Sequence, residues 1–177
     1  MIALPFLFLS VLKFSELNTG LVMTPWPLAT MIISPLAARW IEKHNAAFTA
    51  AFGMLIFMTG LVTLVFVPIE ANEWDIIWRM ALCGIGFGFF QTPNNIVMVM
   101  ATPVERTGAA GGMQSTARLT GQTFGSTSVS IIFALISSVK FSVAICLWMA
   151  LFFALMACIF SIDRGKQIIK GKVTLIS

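Results

Sequence analysis

Five runs of at least twenty-one consecutive residues, 17–38, 46–69, 80–104, 119–139 and 141–162, contain no Asp, Glu, Lys or Arg. An α-helix needs about 20 mostly apolar residues to cross about 30 Å of hydrocarbon, and every run is long enough. In that medium each backbone N–H and C=O must be satisfied within the protein, which leaves helices as the economical solution for such runs. The composition agrees. Of 177 residues, 58% are hydrophobic and 10% charged, against about 25% charged in soluble domains. A soluble globule of this size could not hide so much apolar surface.

The expected fold class is therefore an all-α membrane protein with five complete transmembrane helices plus the end of a sixth. The spans fall near 1–12, 19–38, 46–68, 78–101, 110–137 and 141–162, followed by a basic tail over 163–177. The first segment, "MIALPFLFLSVL", is about half the length of a span and lacks the basic start and cleavage site of a signal peptide. It reads as the end of a helix that begins upstream, with a short re-entrant segment as the alternative.

Lysine and arginine set the orientation. Arg39 and Lys43 mark one loop, Glu105–Arg106 another, and the tail holds Arg164, Lys166, Lys170 and Lys172. These should be cytoplasmic. The connections holding Lys13, Glu70 to Asp75 (with Arg79 beyond), and Lys140 should face the other side. The net charge of +4 is not gathered into a nucleic-acid patch. Cys83, Cys146 and Cys158 lie in apolar runs and read as small buried hydrophobes. No cofactor or metal site is implied, because His44 is the only histidine and no hydrolase, metalloprotease or phosphate-loop motif occurs.

The spans differ in character. The second and last complete ones are almost wholly apolar and can face lipid. The two between them carry polar groups that belong in a bundle interior or a wet cavity. In "GIGFGFFQTPNNIVMVM", Gly84, Gly88, Gln91, Asn95 and Met98 share a helical face, with Asn94 beside them and Pro93 loosening the helix. That face serves equally for touching a solute and for hydrogen-bonding another helix.

In "ATPVERTGAAGGMQSTARLTGQTFGS", Gly108 and Gly112, and again Gly121 and Gly125, form GxxxG pairs, a close-packing signal. Gln114, Arg118, Gly121 and Gly125 share one side. Thr102 is placed to cap the start of this helix, with Pro103 first inside it and Glu105 and Arg106 in its first turn. Arg118 either snorkels to the interface or pairs inside the bundle. Arg39, Glu42 and Lys43 close an earlier span, where Arg39 and Glu42 are spaced to pair or simply to anchor the helix end.

"GFGFFQTPNN" followed by "ERTGAAGGMQSTARLTGQTFG" resembles the late part of the major facilitator superfamily, and within it the fourteen-span drug:proton antiporters of the EmrB/QacA type. "SPLAARWIEKHNAA" is similar to a helix end of that family, matching at Pro35, Leu36, Ala37 and Arg39, with Ala38, Glu42 and Lys43 replacing the usual Gly, Asp and Arg. The resemblance implies the C-terminal part of a transporter bundle. It implies export of a small amphipathic or cationic substrate, with protons as the coupling ion and the N-terminal half as the missing partner. Gln91, Asn94, Asn95 and Met98 would line the substrate cavity. Pro93, Gly108, Gly112, Gln114, Arg118, Gly121 and Gly125 would serve gating and packing. Arg39, Glu42 and Lys43 would form a cytoplasmic latch. The competing readings are an inactive remnant of a transporter and a small membrane scaffold that binds a partner through its GxxxG faces. An enzyme is not expected, for want of a catalytic constellation.

Overall fold

The computed structural model describes residues 3–68, 71–100, 102–103 and 106–174, with side chains described as far as residue 163. Glu70, Glu105 and the side chains of Arg164, Lys166, Lys170 and Lys172 therefore lie outside the described residues. A short helix α1 (Ala3–Phe6) runs into a π-helical turn (Leu7–Val11). Then come α2 (Glu16–Met23), α3 (Pro25–Lys43), α4 (Ala46–Val65), α5 (Glu73–Met100), α6 (Thr107–Leu135) and α7 (Val139–Thr174).

Helices α2 and α3 form one span with a hitch at Thr24. Pro25 and Pro27 have no N–H to continue the ladder. The amide of Thr24 turns instead to the carbonyl of Leu21 at 3.2 Å, tightening that turn. Side chains start the neighbouring helices: Ser15 accepts the Asn18 amide at 3.2 Å, and Asn45 accepts that of Ala47 at 2.9 Å. Helix α5 starts earlier than residue 78. Glu73 and Asp75 fill its first turn, where carboxylates favour the positive end of the helix dipole.

Among the described residues, three helices are long and apolar enough to cross a membrane by length and composition: Glu16–Lys43, Ala46–Val65 and Val139–Asp163. Helices α5 and α6, with 28 and 29 residues, reach about 42 Å at 1.5 Å per residue but carry the polar groups noted above.

Helix α5 lies between α3 and α4, and α4 in turn packs on α7. Glycines bring the backbones together. A Cβ at Gly84 would collide with the carbonyl oxygen of Trp26, and one at Gly88 would meet Ile33 at 3.1 Å, so α5 rests directly on α3. On its other side, a Cβ at Gly53 would stand 2.6 Å from the backbone of Phe89, and one at Gly86 would strike the amide of Phe57. The Thr30 hydroxyl sits 3.1 Å from the Gly84 carbonyl and 3.0 Å from that of Trp26. Ser161 donates to Ala47 O at 3.2 Å, joining α7 to α4.

These pairings make α3 and α5 parallel and α4 antiparallel to both α5 and α7. One end of the bundle then gathers residues 12–15, 66–68, 71–72 and 136–138, and the other holds 44–45 and 102–103.

Helix α4 is not the plain outer helix its apolar sequence suggests. Ala47, Ala50, Gly53, Met54, Gly60, Leu61 and Leu64 are buried on its inner face, because small residues at helical spacing admit two neighbours. Its outer face exposes Phe48, Phe52, Leu55, Val62 and Phe66, and α7 likewise exposes Phe141, Ile145, Trp148, Phe152 and Ile159. Both stripes recur at the helical period, as lipid-facing surfaces do.

Candidate functional site

The polar residues of the two central spans meet at one point. Asn95 stands on α5 two residues after Pro93, which is buried inside the helix and removes one hydrogen bond from its ladder. Gln114 stands two turns into α6. The Gln114 Nε2 donates to Asn95 Oδ1, joining two half-buried amides across the helices. Gln91 and Asn94 are also half-buried, and Asn94 makes a further interaction. Met98, one turn beyond Asn95, is exposed. The sequence places these amides on separate stripes; the fold supplies their pairing.

Helix α6 is otherwise held lightly. None of its residues is buried. Near its end Phe133 meets Phe6 with ring centroids 5.1 Å apart, and Val129 and Ile132 lean on the core. Arg118, one turn past Gln114, is exposed. Gly108, Gly112, Gly121 and Gly125 have open space where a Cβ would sit. The close packing expected of these four glycines is therefore not made by any described residue of this chain. The glycines that bring helices together here are Gly53, Gly60, Gly84, Gly86 and Gly88.

The start of α6 also differs from expectation. Thr102 donates to the Met98 carbonyl at 3.0 Å and so finishes α5. The Arg106 amide bonds to Pro103 O at 2.9 Å, and the helix proper begins at Thr107.

Two features escaped the sequence reading. The first is a threonine face on α6. Thr116, Thr120, Thr123 and Thr127 line a shallow concavity with Leu119 and Phe124, on the side opposite Gln114 and Arg118. Thr116, Thr120 and Thr123 each donate to the carbonyl four residues back, at 2.9 Å. A polar helix can therefore stand in hydrocarbon without outside partners for those hydroxyls.

The second is Arg79. The sequence sets it against the acidic loop, but it lies in the second turn of α5. Its Nε and Nη1 are buried with no hydrogen-bond partner among the described residues, and its guanidinium carbon sits 5.1 Å from the centre of the Trp78 ring.

Arg39, Glu42 and Lys43 are exposed at the end of α3, and Arg39 and Glu42 form no ion pair. At an exposed helix end a surface pair gains too little to hold two long side chains together. His44 stacks on Trp40, with centroids 5.1 Å apart. Among the described residues, no group of three His, Cys, Asp or Glu is placed to hold a metal.

The sequence model of the Major Facilitator Superfamily matches residues 1–172. The chain belongs to that superfamily. Its members are transporters, not enzymes, and family and apolar helices together make this a multi-pass membrane protein. YebQ, an uncharacterized transporter of Escherichia coli (strain K12), is 48% identical over 74% of this chain and 29% of its own length. The multidrug resistance protein Stp of Mycobacterium tuberculosis (strain H37Rv) is 33% identical over 60% of this chain and 20% of its own. The riboflavin transporter RibZ of Clostridioides difficile (strain 630) is 31% identical over 74% and 29%. The chain thus spans less than a third of the length of these relatives. No solved structure matches it.

Proposed function

We propose that this chain works as the C-terminal part of a longer transporter, an exporter of small amphipathic or cationic compounds coupled to protons, of the fourteen-span EmrB/QacA type. The observation that carries the reading is the amide seam of Gln91, Asn95 and Gln114, set between two helices of an otherwise apolar bundle. Amides at half-buried positions offer both donors and acceptors to a solute without the cost of a buried charge. In this reading Gln91, Asn94, Asn95 and Met98 face the substrate.

The open side of α6 supports a larger assembly. Its glycines meet open space and Arg118 is exposed, and in this reading the helices of the missing N-terminal half supply the close packing absent here. The proton carrier is assigned to that half too: among the described acids, Glu16, Glu42, Glu73 and Asp75 lie at helix ends and Asp163 at the end of the apolar stretch of α7. Arg39, Glu42 and Lys43 act at the cytoplasmic end, and the basic tail lies on the same side of the cell membrane.

The test is efflux. The intact transporter, reconstituted in vesicles with an imposed proton gradient, should expel a fluorescent cation such as ethidium. Collapsing the gradient should stop it, and Asn95→Ala should slow it at least tenfold. Gradient-independent flux would remove the proton coupling. Full activity of Asn95→Ala would remove the seam from the substrate path.

A further inference from the structure

At the end of the bundle that carries Lys13 and Lys140, the π turn, the end of α4 and the start of α7 do not close completely. A cavity of about 190 Å³ remains. Leu7 and Val11 of the π turn, Leu64 of α4, and Val143 and Leu147 of α7 give it aliphatic walls, and among the described residues Lys140 is the one charged side chain lining it.

We propose that this cavity is a phospholipid site, taking part of one acyl chain, with the anionic phosphate held at Lys140. The volume is below the roughly 300 to 1,000 Å³ of pockets that enclose drug-sized molecules, so a segment of chain fits better than a whole solute. Among the described residues no acidic side chain lines the cavity, so the charge that Lys140 calls for there is an anion. Lys140 is exposed and can keep its ammonium at the headgroup level while its stem stays on the apolar wall.

A second exposed cation stands close in sequence to the wall. Lys13 follows Leu12, another lining residue, and adopts φ of 54°, a left-handed conformation uncommon outside glycine. The neighbouring outward faces of α4 and α7 expose Val62, Phe66, Phe141 and Ile145, which sets the cavity beside the bilayer itself. The lipid supplies both halves of the match at high local concentration.

The protein, purified in mild detergent and stripped of lipid, should be titrated with phosphatidylglycerol and with phosphatidylcholine, reading bound lipid by native mass spectrometry. Wild-type protein should retain the anionic lipid about fivefold better, the factor expected for one basic residue near a headgroup. Lys140→Gln should erase the preference, and Ala144→Phe, which fills the cavity, should weaken both lipids. Equal retention of the two lipids by wild-type protein overturns the site, as does a preference that survives Lys140→Gln. Displacement of the lipid by glycerol phosphate alone would reduce it to a simple anion site and also overturn the proposal. The wild-type comparison stands even if Ala144→Phe fails to fold. The readout is bound lipid, so it is independent of whether the transporter exports cations.

Discussion

Gln114 on α6 donates its amide to Asn95 on α5, and this bond ties a helix with no buried residue to one packed between two others. Helix α5 is clasped through glycines on two sides. Helix α6 has no buried residue at all. The bond therefore lies at the boundary between a fixed scaffold and a helix free to take other neighbours.

A double-mutant cycle at this pair should show coupling. Asn95→Ala and Gln114→Ala should each lower thermal stability, and the double variant should cost less than their sum. The expected interaction is about 0.6 kcal/mol, the average for side-chain hydrogen bonds between membrane helices. Additive losses measured by thermal unfolding in detergent would mean that the two amides act separately.

The glycines should divide into two classes. Gly53→Val and Gly86→Val drive a side chain into the facing backbone and should destabilise the protein by roughly 3 kcal/mol or more, seen as loss of folded protein in the membrane. Gly112→Ala meets open space and should raise helix stability by up to about 1 kcal/mol. If α6 packs on the remaining helices of a transporter, the same Gly112→Ala should slow export. Unchanged export with unchanged expression would free that glycine from any packing role.

Arg79 should be removable without loss of stability. Two of its nitrogens are buried without partners among the described residues, and an unsatisfied buried donor costs about 1 to 3 kcal/mol that an apolar side chain of similar length avoids. Arg79→Met should therefore melt no lower than wild type. A lower melting temperature would reveal an acceptor that Arg79 finds in the assembled protein.

Much of this architecture can be read from residue order, because charge-free runs and 3.6-residue spacing report on the solvent around a helix. The outward stripes of Phe48, Phe52 and Leu55, and of Phe141, Ile145 and Trp148, follow from that spacing alone. The amide face of Gln91 and Asn95 is visible in the same way. Pairing between helices is not. Gly84 and Gly112 both sit in small-residue patterns, yet one touches Trp26 and the other nothing described. That difference is set by which helix lies opposite, a tertiary fact. Thr102 was equally ambiguous: a threonine before a proline can start a helix or finish one, and the free Met98 carbonyl decides it. Arg79 lies deeper in its helix than a span starting near 78 implies, because charge counting ignores where a helix starts and α5 begins at Glu73.

The threonines of α6 fold their hydroxyls back onto their own carbonyls. A helix built this way is already insulated when it leaves the ribosome. It can enter the bilayer and wait there, since those polar groups need no neighbour to arrive first. Its order of insertion is thereby separated from its order of assembly.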